Sequence, residues 1–367
     1  MAVKIKNNSL KSFLCIIICT ALVLCSVVKG EGAVIYLNSL MQGKTTNNNS
    51  VEYFENAEKT GNINEIYNIT GYGGGGYINA SASITPADIE TLKEQAKLLY
   101  KNYTKAGSIK ETHMGATSKT ITCGVVEVDN KTNVQIDLKK LLGQKCEYGT
   151  ITKDKPYILI YHTHTTEGYE MLDLGWYAKE YNSRTKDLQK NMVRVGDELA
   201  NTLTQAGYNV IHDRSIYDSS YNGAYSRSRV SVEKYLEKYP SIVMTLDVHR
   251  DAIQYSDGTK CKPTAQVNGK KAAQVMIISG CEGNGIEDFP QWEKNLAFAL
   301  DLQSRAEEMY PDLMRPVFFC HRKYNMDVTP CSLLLEFGTD ANTLEEAVYS
   351  AQLIGTALAD VLNKNME

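Results

Sequence analysis

The chain carries no C-x-x-C, no H-E-x-x-H, no G-x-S-x-G and no P-loop. The first absence removes paired thiolates as metal ligands. The others weigh against zincin proteases, serine hydrolases and nucleotide enzymes. There is no surplus of positive charge. The 39 lysines and arginines face 43 acids, a net charge of −4 over 367 residues, which gives no support to nucleic-acid binding. Histidine is sparse, at six in the whole chain, and no internal repeat is found. What remains is 43% hydrophobic and 22% charged, the make-up of a globular protein able to bury a core. The length suits one large domain with additions, or two domains.

The N-terminus differs from the rest. Lys4, Lys6 and Lys11 precede an apolar run from Ser12 to Val28 that Lys29 closes. The run lies between a signal-peptide core of about 7–15 residues and a bilayer span of roughly 20. "CSVVKGEG" is a poor cleavage site, which favours an uncleaved anchor over a cleaved signal peptide; a buried N-terminal helix is the third reading. With the lysines held inside, anchor and signal peptide both place the remainder outside the cytoplasm. Of nine cysteines, Cys15, Cys19 and Cys25 lie in this run. The other six, Cys123, Cys146, Cys261, Cys281, Cys320 and Cys331, are an even number at spacings that permit local disulfides or buried thiols.

Composition then divides the chain. Residues 1–30 read as a membrane anchor or signal segment. Residues 31–84, rich in Asn, Gly, Thr and Ser, read as a flexible tether unable to bury enough apolar surface to fold. Residues 85–150 read as an accessory region. It opens with a helix capped by Thr85, with Pro86 first, and with Ile89, Leu92, Ala96 and Leu99 at helical spacing. From 151 to 367 strands and helices alternate: "YILIYHT", "YNVIHD", "SIVMTLDVH", "AAQVMIISG", "PVFFCH" and "SLLLEFG" as strands, with amphipathic helices between them. That order predicts an α/β domain with a mainly parallel sheet flanked by helices, with ligands outside the carboxyl ends of the strands.

Three of those ends carry chemistry. One reads His162-Thr-His164-Thr-Thr-Glu167, a second Asp247-Val-His249-Arg250-Asp251, and the last Leu335-Glu336-Phe337-Gly338. A catalytic zinc takes three protein ligands and leaves one position open. His164, Glu167 and His249 are the candidate set. His162 shares a face with His164 on an extended strand and is the alternative or supporting ligand. Glu336, a carboxylate in an apolar strand, is costly to bury without a partner and is the candidate general base. Asp247 or Asp251 is placed to orient His249, and Arg250 to bind a substrate carboxylate or an oxyanion. His113, His212 and His321 are weaker candidates.

"LIYHTHTTEGY", "KNMVRVGDEL", "LDVHRDA" and "LLLEFGTDANT" together resemble the stage II sporulation protein P family, membrane-anchored cell-wall hydrolases of endospore formers with a fold like that of zinc N-acetylmuramoyl-L-alanine amidases. The resemblance covers about Lys155 to the C-terminus, plus the N-terminal anchor, and His164, His249 and Glu336 fall on matching positions. It departs where amidases carry G-H-G-G, here "THTT", and where their glutamate ligand precedes the first helix, here "SRTKDLQKN". The carboxylate ligand is therefore open among Glu167, Glu170 and Asp187, with Glu167 preferred. The resemblance implies zinc-dependent cleavage of the muramoyl–L-alanine amide of peptidoglycan, with peptide cross-links as further substrates. It also implies forespore engulfment as the process, in the space between mother-cell and forespore membranes, and stage II sporulation proteins D and M as partners. The alternatives are a zinc carboxypeptidase or endopeptidase acting on stem peptides, with Arg250 as its carboxylate receptor, and a non-catalytic wall-binding scaffold.

Overall fold

The computed structural model describes residues 35–36, 88–144 and 155–364. The expected anchor, Thr85, Pro86 and all of the expected tether except Ile35–Tyr36 lie outside the described residues. Among the described residues no helix is long and apolar enough to cross a membrane. In chain order the elements are β1 (Ile35–Tyr36), α1 (Ile89–Tyr100), β2 (Lys105–Thr112), β3 (Ile121–Cys123), β4 (Val126–Asn130), α2 (Leu138–Leu142), β5 (Ile158–Tyr161), β6 (Trp176–Ala178), α3 (Met192–Gln205), β7 (Val210–His212), α4 (Ala224–Lys238), β8 (Met244–Asp251), β9 (Ile253–Gln254), β10 (Lys260–Val267), β11 (Lys270–Ala273), β12 (Val275–Gly280), α5 (Trp292–Met309), β13 (Val317–Cys320), β14 (Cys331–Thr339) and α6 (Leu344–Lys364).

The main sheet has the order β3-β4-β13-β12-β14-β8-β5-β7. It is mixed, which corrects the expectation of a mainly parallel sheet. β14, β8, β5 and β7 run parallel, as do β4, β13 and β12, but β12 meets β14 antiparallel and β3 meets β4 antiparallel. The cause is local: β13 and β14 are joined by the helix-free loop 321–330, and a parallel return needs a crossover. A second sheet, β1-β9-β10-β2-β6 with β11 beside β10, is also mixed. The stretch expected as an accessory region supplies β3 and β4 to the first sheet and β2 to the second. Its helix α1 starts at Ile89 behind an Asp88 cap and buries Leu92, Ala96 and Tyr100; Leu99 faces solvent. Cys123, Cys261, Cys281, Cys320 and Cys331 are all free thiols, so neither the Cys261–Cys281 nor the Cys320–Cys331 pair permitted by spacing is formed. Cys146 lies outside the described residues.

Strands β5, β8, β12 and β14 are buried along their whole length, as central strands covered on both faces must be. Strand alternation then sorts their side chains. Ile158, Ile160, Leu246, Val248, Leu333, Leu335 and Phe337 join the large core that contains the buried faces of α3, α5 and α6. Leu159 and Tyr161 face the other way and pack with Val232 and Tyr235 of α4, while Leu334 clusters with Met276, Ile278, Phe289, Cys320 and Met326. This second face has one helix where the first has several, and it is here that the polar strand ends project.

One buried cation ties the second sheet to the main body. Lys262 of β10 is 1% exposed, and its ammonium lies 2.7 Å from Glu346 Oε1 on α6 and 2.8 Å from Asp173 Oδ1. Removing one partner of a buried pair costs about 3–5 kcal/mol. Lys262→Met is expected to lose that much in urea denaturation; unchanged stability would mean that these charges are solvated rather than paired.

Candidate active site

Parallel register assembles the site. Glu336 of β14 lies directly beside His249 of β8, and Asp247 lies beside Tyr161, the last residue of β5. All four point to the α4 face by alternation. After Glu336 the ladder slips through a bulge at Gly338, whose φ of +67° and close contacts with Asn342 and Ala273 leave no room for a Cβ. Bulges of this kind re-aim side chains next to sites. Beyond β5 the chain turns through Thr163–Thr166. Thr163 holds this turn on Asp247: its N–H donates to Oδ1 at 2.8 Å and its hydroxyl to Oδ2 at 2.6 Å.

The turn brings His164 and Glu167 to His249. The two imidazole rings meet edge-on at 5.4 Å. Glu167 is fully buried, with Oε2 3.5 Å from His249 Nδ1 and 3.3 Å from the Arg250 N–H, and Oε1 accepting from Arg184 Nη2 at 3.2 Å. Burial alone would raise the Glu167 pKa; His249, Arg250 and His164 outweigh it and hold the carboxylate well below its usual range. Burial likewise opposes charge on His249, but Asp247 and Glu167 reverse this and raise its pKa well above the ordinary imidazole value. His164 is shifted down, first by burial and then by His249 and Arg184. Burial, reinforced by Asp251, pushes the Glu336 carboxyl well above its ordinary value.

Three buried atoms here have no hydrogen-bond partner: His164 Nδ1, His249 Nε2 and Glu336 Oε2. His249 Nε2 does lie 2.8 Å from Asp247 Oδ1, but without hydrogen-bond alignment, so we read that contact as charge pairing. Among the described residues no three His, Cys, Asp or Glu side chains are already gathered as a ligand set. The donor chemistry nevertheless fits zinc: two imidazoles, one ionised carboxylate, and a buried His164 Nδ1 with no hydrogen-bond partner. The 3.5 Å separation of His249 Nδ1 and Glu167 Oε2 is long for a hydrogen bond. It is close to the roughly 3.3 Å that two ligands with bonds of about 2.0–2.1 Å make around a tetrahedral ion.

The structure also sorts the alternatives. Glu170 turns away to accept from the Tyr100 hydroxyl at 2.6 Å, and burial pushes its pKa up to about 7. Asp187 pairs with Lys190 at 3.0 Å. Of the three carboxylates, Glu167 is the one beside His249. His162 does not share a face with His164, because β5 ends at Tyr161 and the turn intervenes. Its ring packs toward α3, with Nδ1 on the Val248 carbonyl at 2.9 Å and Nε2 on His212 Nε2 at 2.8 Å, in a space that Gly196 leaves by lacking a Cβ. His212 in turn bonds Asp197 at 3.0 Å, while His113 and His321 bond Gln274 and the Glu282 carbonyl. Asp251 pairs with Arg315 at 3.0 Å, which leaves Asp247 as the carboxylate against His249.

Arg250 differs most from expectation. It is buried, and its guanidinium donates to the carbonyls of Gly168, Asp251 and Ser183 at 2.8–3.2 Å, so it holds the site loop. The partly exposed arginine is Arg184, which bridges Glu167 and Asp218 and lies 5.2 Å from the centre of the Tyr221 ring. Tyr221 stacks flat on His164 at 4.6 Å, and Tyr225 stands edge-on to His164 at 5.5 Å and packs between His249 and Tyr324. These residues were missed in the sequence, where the one clue is a pair of tyrosines four apart around Gly223 at a helix start.

A family model described as "Stage II sporulation protein P (SpoIIP)" matches residues 72–362. A curated "Stage II sporulation protein P" from Bacillus subtilis (strain 168) is 30% identical over 225 residues, 58% of this chain and 52% of that protein. The chain thus spans about half the length of the curated relative it matches. Among solved structures, an N-acetylmuramoyl-L-alanine amidase of Nostoc punctiforme is 13% identical, over 59% of this chain and 99% of that chain, with a TM-score of 0.35. The CwlD amidase of Clostridioides difficile, solved with the GerS lipoprotein, is 13% identical over 57% and 98%, also with a TM-score of 0.35.

Because each buried acceptor left without a donor costs about 1–3 kcal/mol, Arg250→Ala is expected to destabilise the protein by at least about 3 kcal/mol in chemical denaturation. A variant of full stability with only a raised KM would return Arg250 to substrate binding.

Proposed function

This chain belongs to the stage II sporulation protein P family, and from that premise we propose that it is a zinc-dependent peptidoglycan hydrolase. Its reaction is cleavage of the amide between the muramoyl lactyl group and L-alanine during forespore engulfment. The observation that carries this reading is the unpartnered Glu336 carboxyl set beside His249, with His164 and Glu167 completing a two-histidine, one-carboxylate set. His164, Glu167 and His249 would hold the ion. Bound zinc supplies a water of pKa about 7 and a Lewis acid for the amide carbonyl.

The chain's own residues account for the rest. Glu336 takes the proton of the attacking water and returns it to the departing amine of L-alanine. Its buried setting favours the protonated form that it must adopt between the two transfers, and His249 and Arg315 act against that bias without reversing it. Asp247, 2.8 Å from His249 Nε2, would orient the neutral ring and leave Nδ1 for the ion. Arg184 and the Arg250 N–H fix the Glu167 carboxylate.

A carboxypeptidase needs a free cation for the substrate's terminal carboxylate, and the engagement of Arg250 with backbone carbonyls removes the group proposed for that task. Attachment to the membrane through residues 1–30, and action with stage II sporulation proteins D and M, belong to the same proposal and follow from the family resemblance.

His164→Ala and His249→Ala are each expected to lose bound zinc in metal analysis, whereas His162→Ala is expected to keep it. Zinc content unchanged by His249→Ala would sink the proposed ligand set. Glu336→Gln is expected to keep about one zinc per chain while release of stem peptides from peptidoglycan falls by about 10²- to 10⁴-fold. Shortened stem peptides in place of released ones would select the carboxypeptidase reading.

A further inference from the structure

Hydrolysis of an amide passes through a tetrahedral species whose oxygen carries new charge, and a fixed hydrogen-bond donor at that oxygen is a large contributor to rate. The donors around this site are almost all engaged. Arg250 is spent on three carbonyls, and Arg184 on Glu167 and Asp218. The hydroxyl of Thr163 donates to Asp247, that of Thr165 to the His162 and Ser215 carbonyls, and that of Thr166 to Asp218.

Tyr225 is the exception. Its ring touches both candidate histidine ligands, edge-on to His164 and nearly parallel to His249 at 6.4 Å, with Tyr324 stacked behind it at 5.1 Å. Burial, with Asp247, Tyr324, Glu336 and Glu167 adding to it, raises its pKa well above the ordinary phenol value and keeps the proton on oxygen, and no described residue hydrogen-bonds the hydroxyl.

The placement is built rather than incidental. The Tyr225 carbonyl accepts from Asn325 Nδ2 at 3.1 Å and from Ser228 Oγ at 3.2 Å. Tyr324 and Asn325, which hold the ring and the backbone from the other side, both adopt positive φ, at 44° and 57°. Consecutive non-glycine residues in that region cost free energy that the surroundings must offset. The start of α4 is locked by Arg227, whose guanidinium donates to the Tyr217, Asn222 and Ser220 carbonyls. A rigid phenol packed against both candidate ligands, with its O–H unspent, is a preorganised donor.

We propose that Tyr225 is a catalytic residue whose phenol O–H donates a hydrogen bond to the scissile amide oxygen as that oxygen gains charge, an inference that rests on the amidase reading above. The phenol keeps its proton throughout; the proton removed from water goes to Glu336 and then to the leaving amine.

The test is Tyr225→Phe, which deletes one oxygen and keeps the ring contacts, in the full-length zinc-loaded protein beside the wild type. Stem-peptide release is expected to fall about 10²-fold in kcat, with KM, zinc content and thermal midpoint unchanged. Binding of a phosphinate isostere of the muramoyl–L-alanine amide, followed by calorimetry with zinc-loaded protein, is expected to weaken by a similar factor. Binding of uncleaved substrate to the Glu336→Gln protein is expected to be the same with or without Tyr225→Phe. A kcat within twofold of wild type, or unchanged phosphinate affinity, overturns the proposal while leaving the amidase reading intact. A wild-type arm that releases no stem peptide overturns the amidase reading itself, and this inference with it.

Discussion

A buried carboxylate must find a partner, and the region around His249 contains four: Glu167, Asp247, Asp251 and Glu336. Much of the local architecture answers that requirement. Thr163 satisfies Asp247 and in doing so shapes the turn that carries His164. Arg315 takes Asp251, while Arg184 and the Arg250 N–H take Glu167. Glu336 is left with a buried oxygen that no neighbour satisfies. The fold thus neutralises three of these four carboxylates and leaves the last one wanting, which is the observation behind the role proposed for Glu336.

The same electrostatics explain why two loops close over one site. Asp218, in the loop before α4, binds both the Thr166 backbone and Arg184, and Arg184 reaches on to Glu167. The turn after β5, the loop before α3 and the loop before α4 are thus joined through a single guanidinium. The planar guanidinium presents its donors in a fixed fork, so one Nη reaches Asp218 while the other reaches Glu167. The tyrosines ride on this framework: Tyr221 covers His164, and Tyr225 fills the angle between the two histidine rings.

Much of the frame was legible in the sequence because it rests on periodicity. Apolar runs such as "YILIY" and "SLLLEFG" mark strands buried on both faces, and His249 and Glu336 were found at strand ends because polar residues there break an apolar pattern. Expectation failed where partners come from distant sequence. The fate of Arg250 is set by the carbonyls of residues 168 and 183, which no local pattern reveals. β9, β10 and β11 were unmarked because their pairing partners lie in β2, β1 and each other, and their side chains are only partly apolar. The antiparallel meeting of β12 and β14 follows from a helix-free connection rather than from any property of the strands themselves.

His162 and His164 mark the division. That two histidines and a glutamate stand at the end of a buried strand is a property of the chain alone, since strand burial and side-chain type are local. Which histidine faces the site depends on where the strand stops. That is decided by the bond from Thr163 to Asp247, a residue 84 positions away, and by the space that Gly196 leaves for His162 on the opposite face. Local sequence specifies the alternation of a strand; the point at which alternation gives way to a turn is set by contacts that exist once the sheet has formed.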